Sequence, residues 1–188
     1  KIEYHSYKET MKEIGIAYLG ECNHSTKLTH NGEKNMLTYG IYLASSDASN
    51  INVCPKSKMC RESCLVGSGY AKIDALAHNN KVLNARIIKT RLFFANRNLF
   101  MTLMIKEINK AINKAKRLGM EFSVRLNCTS DINPTVFVYE GKNILELYPN
   151  VSFYDYTKVK SHWKVAEKYP NYYITFSRDG SKENEEEC

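Results

Sequence analysis

The sequence has 188 residues, of which 43% are hydrophobic, and its 27 basic and 20 acidic residues give a net charge of +7. A chain of this length can bury one core and is too short for two independent ones, so one structural domain is expected. No run of 18 apolar residues and no signal peptide are present, which excludes a membrane-spanning helix and predicts a soluble, cytoplasmic protein with no membrane partner. The positive charge favours anionic partners without identifying them.

The first half of the chain predicts an N-terminal cap, one strand and two helices. Residues 1–39 are expected to form a hairpin or an irregular cap over a domain of residues 40–188. Residues 40–47 are an apolar run that ends in small polar side chains, which predicts a buried strand and then a loop. Residues 73–95 contain no Pro or Gly and predict a helix. Apolar residues recur at helical spacing over 99–118, and Gly119 follows as a predicted cap.

The second half of the chain predicts three more strands, at residues 121–127, 151–156 and 172–177. Each of these segments either alternates apolar and polar residues or is rich in β-branched and aromatic residues, and both patterns are typical of strands. A short helix is expected at residues 160–169, ended by Pro170. The alternation of strands and helices predicts an α/β fold with a mostly parallel sheet and right-handed crossovers. The final residues resemble the start of a helix, so we expect the natural chain to continue beyond Cys188.

Three of the six cysteines, Cys54, Cys60 and Cys64, lie within eleven residues of one another. Disulfide frameworks belong mainly to small secreted chains, so reduced thiols or metal thiolates fit this chain better. The same loop holds two lysines and an arginine, whose positive charge lowers the pKa of a thiol and so favours metal binding. The spacing therefore predicts a metal-binding loop.

The identity of the metal depends on the fourth ligand. A [4Fe–4S] cluster bound by three cysteines leaves one iron open, whereas structural zinc requires four protein ligands. No fourth cysteine lies in the loop, which favours the cluster. Zinc is the alternative, and its candidate fourth ligands are Cys22, His24, His30 and Cys128. A further alternative is that the cysteines bind no metal and are buried as small apolar residues.

Polar and charged residues follow the predicted strands, where parallel α/β sheets place their ligands. The predicted catalytic residues are Asp131, Asp155 and Lys158, and the predicted cofactor-binding residues are Arg125, Asn127, Ser130 and Ser177. In this hypothesis Arg125 and Lys158 balance the negative charge of a ligand, and one of the two aspartates orients a polar group or moves a proton. The ordinary alternative is that these residues cap turns or pair locally.

Five motifs occur in a fixed order along the chain. They are Asn-Val-Cys-Pro with Cys-x3-Cys-Leu-x-Gly-Ser-Gly, Asn-Ala-Arg-x3-Thr-Arg-Leu-Phe, Val-Arg-Leu-Asn-x-Thr-Ser-Asp-Ile, Phe-Tyr-Asp-Tyr-Thr-Lys and Tyr-x-Ile-Thr-Phe-Ser. Together they resemble the gene product 88 family of phage and mobile-element proteins, from about residue 20 to the end. This resemblance implies no assigned biochemical role. Members of the family typically continue past the position of Cys188 with another strand.

The order of elements is also similar, more loosely, to that of radical S-adenosylmethionine enzymes. Those enzymes place a three-cysteine cluster in the loop after the first strand of a partial (β/α) barrel. This resemblance implies a [4Fe–4S] cluster, S-adenosylmethionine as a second cofactor and a barrel-like sheet. The spacing here is Cys-x5-Cys-x3-Cys, whereas that superfamily usually has Cys-x3-Cys-x2-Cys.

The sequence thus predicts an α/β protein with a partial (β/α) barrel-like sheet and an iron–sulfur cluster on Cys54, Cys60 and Cys64. One functional hypothesis is an enzyme that acts on a nucleotide or nucleic acid. A second is a zinc- or cluster-stapled nucleic-acid-binding module without catalysis. A third is a phage factor that binds a host protein.

Overall fold

The computed structural model of the protein describes residues 2–22, 35–46, 48–57, 80–178 and 182. The helices in these ranges are α1 (Tyr7–Ile14), α2 (Lys81–Ala95), α3 (Arg97–Leu118), α4 (Ile144–Leu147) and α5 (Trp163–Lys168). The strands are β1 (Gly20–Cys22), β2 (Met36–Ile41), β3 (Glu121–Arg125), β4 (Val138–Tyr139), β5 (Lys142–Asn143), β6 (Ser152–Thr157) and β7 (Tyr172–Phe176). Short 3-10 turns occur at Pro134–Val136 and Lys160–His162.

Five of the strands form one sheet in the order β1-β2-β3-β6-β7, and β4 and β5 form a separate hairpin. Strand β1 is antiparallel to β2, whereas β2, β3, β6 and β7 run parallel to one another. This confirms the predicted α/β fold with a mostly parallel sheet. In the part of the chain that the structure describes, β1 and β7 are the two edges and the sheet does not close into a barrel, so the barrel-like character stays a prediction.

Helix α3 supplies one side of the hydrophobic core. Most of its buried residues recur at three- and four-residue steps, which places them on one face: Leu99, Phe100, Leu103, Met104, Ile108, Ala111 and Ala115. Met101 is buried as well. The side chain of Asn96 caps the first turn by accepting from the N–H of Leu99, and Gly119 ends the helix with a φ of 63°. The predicted helix and its glycine cap are confirmed.

The two faces of the sheet differ in chemistry because successive side chains of a strand point to opposite faces. Val124, Phe153 and Tyr172 belong to the cluster that packs against α3, and we call this side the core face. On the opposite side, the outer face, the hydroxyl oxygens of Thr38 and Ser123 lie 2.8 Å apart. Polar residues therefore collect on the outer face.

The sequence predicted a strand that begins at residue 40 and runs into a loop by residue 47, whereas β2 spans Met36–Ile41 and the loop begins directly after it. The next residues are still buried, since Leu43 and Ala44 are fully covered. The carbonyl of Leu43 accepts from the hydroxyl of Thr129, and the N–H of Ala44 donates to the hydroxyl of Thr90. The apolar run reflects a buried loop at the end of the strand, and the prediction mistook that burial for strand structure.

Two further predictions differ from the structure in their bounds, and one helix was not predicted. Helix α2 begins at Lys81, and residues 58–79, which include the start of the predicted helix, lie outside the described residues. The segment predicted as one short helix after β6 is a 3-10 turn followed by α5. Helix α1 was not predicted, although Ser6 caps its start and Gly15, with a φ of 82°, ends it. Among the described helices, none has the length and apolar character needed to cross a membrane.

Candidate functional site

The carboxyl ends of β2, β3, β6 and β7 lie together because these strands are parallel, and we call this side of the sheet the carboxyl edge. The predicted site residues that lie at or next to it are Cys54, Arg125, Asn127, Ser130, Asp131, Asp155, Lys158 and Ser177. The other two predicted metal ligands, Cys60 and Cys64, lie outside the described residues. The structure thus brings the polar residues of three separate motifs to one edge.

The thiol of Cys54 is held against the loop that follows β3. Its Sγ accepts from the N–H of Ser46 at 3.3 Å, and the thiol donates to the carbonyl oxygen of Thr129 at 3.7 Å. The preceding residue, Val53, is fully buried, and its carbonyl accepts from the N–H of Asp131 at 2.8 Å. These contacts fix a half-buried sulfur beside the segment that carries most of the polar site residues.

The described ranges contain no group of three His, Cys, Asp or Glu side chains close enough to hold a metal ion. Because Cys60 and Cys64 are not among those residues, the three-cysteine site is not tested by this finding. The metal site therefore stays a prediction.

Asn127 organises the loop after β3. Its Nδ2 donates to the carbonyl of Ile132 and to the carboxyl of Asp155, both at 3.0 Å. Its Oδ1 accepts from the Ser130 hydroxyl at 2.8 Å and from the N–H of Ile132 at 3.0 Å. Both donors and the acceptor oxygen of this buried amide are satisfied within the chain. Asn127 thus holds the loop in one shape and joins it to β6.

Asp155 is 2% exposed and receives the backbone N–H of Asn127 at 2.7 Å as well as its side chain. The hydroxyl of Tyr172 donates to the same carboxyl group at 3.3 Å. Burial raises the pKa of Asp155 to about 7, although the hydrogen bonds from Asn127, the charge of Arg125 and the Tyr172 hydroxyl all act to lower it. Asp155 therefore changes its protonation near neutral pH, and its predicted catalytic role stays a prediction.

The raised pKa of Asp155 predicts how stability changes with pH. The folded protein keeps this proton up to about pH 7, whereas the unfolded chain releases it near pH 3.8. The stabilisation is therefore complete below about pH 4 and is lost as pH rises through 7. Between pH 5 and pH 8, the free energy of unfolding of the wild type should fall by roughly 2 kcal/mol more than that of Asp155→Asn, measured by urea unfolding. If the free energy of unfolding changed with pH by the same amount in both proteins, the prediction would be contradicted.

Asp131 connects the loop after β3 to the end of β6. Its carboxylate accepts from the Thr157 hydroxyl at 2.7 Å and from the N–H of Lys158 at 2.8 Å. The buried His162 places Nδ1 3.4 Å from the same carboxylate and 3.1 Å from the Thr157 oxygen. Since Thr157 gives its proton to Asp131 and accepts from the N–H of Val159, the proton between Thr157 and His162 belongs to Nδ1.

His162 is a site residue that the sequence analysis missed. It lies in the 3-10 turn after β6 and contacts Asp131, which belongs to a different loop. No fixed spacing joins the two residues, so no motif could have paired them. The pair places a potential acid–base group at the carboxyl edge beside two of the predicted catalytic residues.

Arg125 lies on the outer face of the sheet and is 6% exposed. Its guanidinium lies over the ring of Tyr156, 4.7 Å from the centroid, and 5.9 Å from the ring centroid of Tyr154. Its Nε has no hydrogen-bond partner within the described residues. The ammonium of Lys158 donates to the hydroxyl of Ser177 at 3.1 Å. The two cations and Ser177 thus lie near the ends of β3, β6 and β7, and their roles in cofactor binding stay predictions.

Comparison with known proteins gives one family. The model of the family described as Gene product 88 matches residues 19–188, which is nearly the whole chain. No curated protein and no solved structure matches the sequence. The first resemblance seen in the sequence is therefore confirmed, and the looser likeness to radical S-adenosylmethionine enzymes gains no support from these comparisons.

Proposed function

Because the chain belongs to the gene product 88 family, we propose a function for the residues at the carboxyl edge: the protein holds an iron–sulfur cluster on Cys54, Cys60 and Cys64. We further propose that it acts in the cytoplasm on an anionic ligand, a nucleotide or a nucleotide-like cofactor. The ligand lies on the outer face beside the cluster loop.

The observation that carries the proposal is the placement of Cys54. Thiolate sulfur is the usual protein ligand of iron–sulfur clusters. The N–H of Ser46 donates to this sulfur, and such a hydrogen bond stabilises a thiolate and tunes a bound cluster. The sulfur also lies next to the loop of Asn127 and Asp131, so a group bound there is within reach of polar side chains. The donor chemistry of Cys54 fits the cluster.

A [4Fe–4S] cluster bound by three cysteines supplies one open iron that can hold a substrate or cofactor. Arg125 is well suited to an anion, because it is buried against two tyrosine rings and its Nε has no hydrogen-bond partner within the described residues. The ring of Tyr156 is 45% exposed and offers a surface on which a base can stack. S-adenosylmethionine has both an aromatic base and a carboxylate, so it is one candidate ligand.

The acid–base chemistry of the proposed site belongs to Asp131 and His162. In the hydrogen-bond arrangement described above, Asp131 orients the Thr157 hydroxyl, and His162 carries its proton on Nδ1. This arrangement leaves Nε2 of His162 as the nitrogen that accepts a proton. Lys158 lies between this pair and Ser177 and contributes positive charge.

The experiment is the iron, sulfide and zinc content, with an absorbance spectrum, of protein purified without oxygen. We expect about four iron and four sulfide per chain and a broad visible absorbance. A Cys54/Cys60/Cys64 triple-alanine variant should lose both, whereas Cys22→Ala, a half-buried cysteine on β1, should keep them. Urea unfolding of each variant establishes that it is folded. Iron that persists in the folded triple variant, or no metal in the wild type, would contradict the proposal.

The second candidate function is a zinc-stapled nucleic-acid-binding module. The observation that favours it is the position of Cys128, which is adjacent to Thr129, the residue whose carbonyl contacts the Cys54 sulfur. Of the two described candidates for a fourth zinc ligand, Cys22 and Cys128, Cys128 is the one next to a residue that contacts Cys54. Stoichiometric zinc in a colourless protein, lost in Cys128→Ser as well as in the triple variant, would support this candidate over the cluster.

A further inference from the structure

A concave surface lies between α3, β1 and α1. It is a groove of about 940 Å³ whose walls include Tyr7, Tyr18, Glu21 and residues of the second half of α3. Helix α3 ends at Gly119, just before β3 begins, so this half of the helix leads to the amino ends of the parallel strands. The groove therefore extends from Gly20, which pairs with Ile41 at the carboxyl end of β2, toward the amino ends of the parallel strands.

Basic side chains follow one wall of the groove. Lys106, Lys110 and Lys114 recur at four-residue steps on α3, and Arg117 continues the row. Four residues of an α-helix rise about 6 Å, so the positive charges are evenly spaced along the groove. Among the described residues of the lining, these four basic side chains outnumber the two carboxylates, which makes the groove complementary to a polyanion.

One of the two carboxylates, Glu107, is fully engaged by the protein itself. It accepts from the hydroxyls of Tyr7 and Tyr39, at 2.6 and 2.5 Å, and from the N–H groups of Leu19 and Gly20, both at 2.8 Å. Burial, together with the hydrogen bond and charge of Glu107, raises the pKa of both tyrosines, so both stay protonated and donate. The four hydrogen bonds to Glu107 fix α1, β1, β2 and α3 to one another and make the groove a rigid surface.

An aromatic ring lies beside the basic row. Tyr18 lines the groove and is 45% exposed. The ammonium of Lys89 lies 4.9 Å from the centroid of its ring, and Lys89 is 4% exposed, with the carboxylates of Glu21 and Glu107 close enough to act on its charge. An exposed ring and an adjacent buried cation are suited to the stacking of a nucleobase and to the charge of the phosphates around it.

We propose that this groove binds a single strand of nucleic acid, with its phosphates along Lys106, Lys110 and Lys114 and a base stacked on Tyr18. Evenly spaced cations with an aromatic platform are the combination by which proteins hold single strands without reading their sequence. A duplex fits less well, because its bases are already stacked on one another. Cys54, the described cysteine of the proposed cluster, is not among the described residues that line the groove.

The test is fluorescence anisotropy with a labelled 20-nucleotide single strand and the duplex of the same sequence, over a range of salt concentrations. The triple variant Lys106/Lys110/Lys114→Gln should bind the single strand at least tenfold more weakly at 0.1 M salt. The slope of log affinity against log salt should fall by about two, because each lost phosphate contact removes about 0.7. The control, Lys142/Lys160/Lys164→Gln, removes three exposed lysines elsewhere and should change affinity less than twofold.

Tyr18 supplies the second arm of the test. Tyr18→Leu should weaken binding about tenfold, and Tyr18→Phe should keep it, because the ring and not the hydroxyl stacks. The metal content of every variant should equal that of the wild type, so that loss of the cluster is distinguished from loss of the groove. Equal losses in the control triple variant, or a duplex bound as tightly as the single strand, would overturn the proposal.

Discussion

Replacing Glu107 by alanine should lower the free energy of unfolding by about 3 kcal/mol. The carboxylate receives the hydroxyls of Tyr7 and Tyr39 and the N–H groups of Leu19 and Gly20. Its removal leaves all four donors without their acceptor in a partly buried setting, and each unpaired donor keeps its desolvation cost. Urea unfolding monitored by circular dichroism measures the change.

The matched control for this prediction is Glu167→Ala, which removes an exposed carboxylate from α5. It should change the free energy of unfolding by less than about 0.5 kcal/mol. Tyr39→Phe removes one of the four donors and should cost about 1–2 kcal/mol. If Glu107→Ala lowered the free energy of unfolding no more than the control does, the four hydrogen bonds of Glu107 would not be what holds α1 and β1 to the sheet.

Replacing Asn127 by alanine should cost about 3 kcal/mol and should loosen the carboxyl edge. The amide makes four hydrogen bonds with Ser130, Ile132 and Asp155. The truncation leaves buried polar groups of the loop unpaired, which is among the costliest classes of single substitution. Urea unfolding gives the loss of stability, and amide hydrogen exchange of residues 127–132 gives the loosening of the loop.

The control is Asn113→Ala, an exposed asparagine on α3, which should leave both measurements unchanged. Faster hydrogen exchange confined to the loop after β3 would support the view that the hydrogen bonds of Asn127 hold this loop in place. An Asn127→Ala protein with wild-type stability would contradict it.

Much of the fold follows from local patterns in the sequence. Helix α3 was predicted because its apolar residues keep helical spacing and Gly119 provides the cap, and both features depend only on neighbouring residues. The strands β3, β6 and β7 were predicted in the same way, with shifts of a residue or two at their ends. The error at β2 arose because burial at the carboxyl edge extends past the strand, and a run of apolar residues does not distinguish the two.

The candidate site was less predictable because its contacts join distant parts of the chain. The rule that ligands lie at the ends of parallel strands led to Asn127, Asp131 and Asp155, which the structure does bring together. It could not find His162, whose partner lies in another loop, nor Glu107, whose four donors come from three separate elements. Such pairings depend on the register of packed elements, and a single sequence contains no signal for that register.

The strand order also bears on how the chain folds. The hydrogen bond between Thr38 and Ser123 joins residues 85 apart, whereas the contacts between β3 and β6 and between β6 and β7 join residues 28 and 17 apart. Because long loops close slowly, β3, β6 and β7 should associate first and β2 should join them late. Cys54 follows β2 and reaches its place only when β2 docks. Its thiol should therefore stay exposed to solvent during most of folding, which is the period in which the metal of the proposed cluster would reach it.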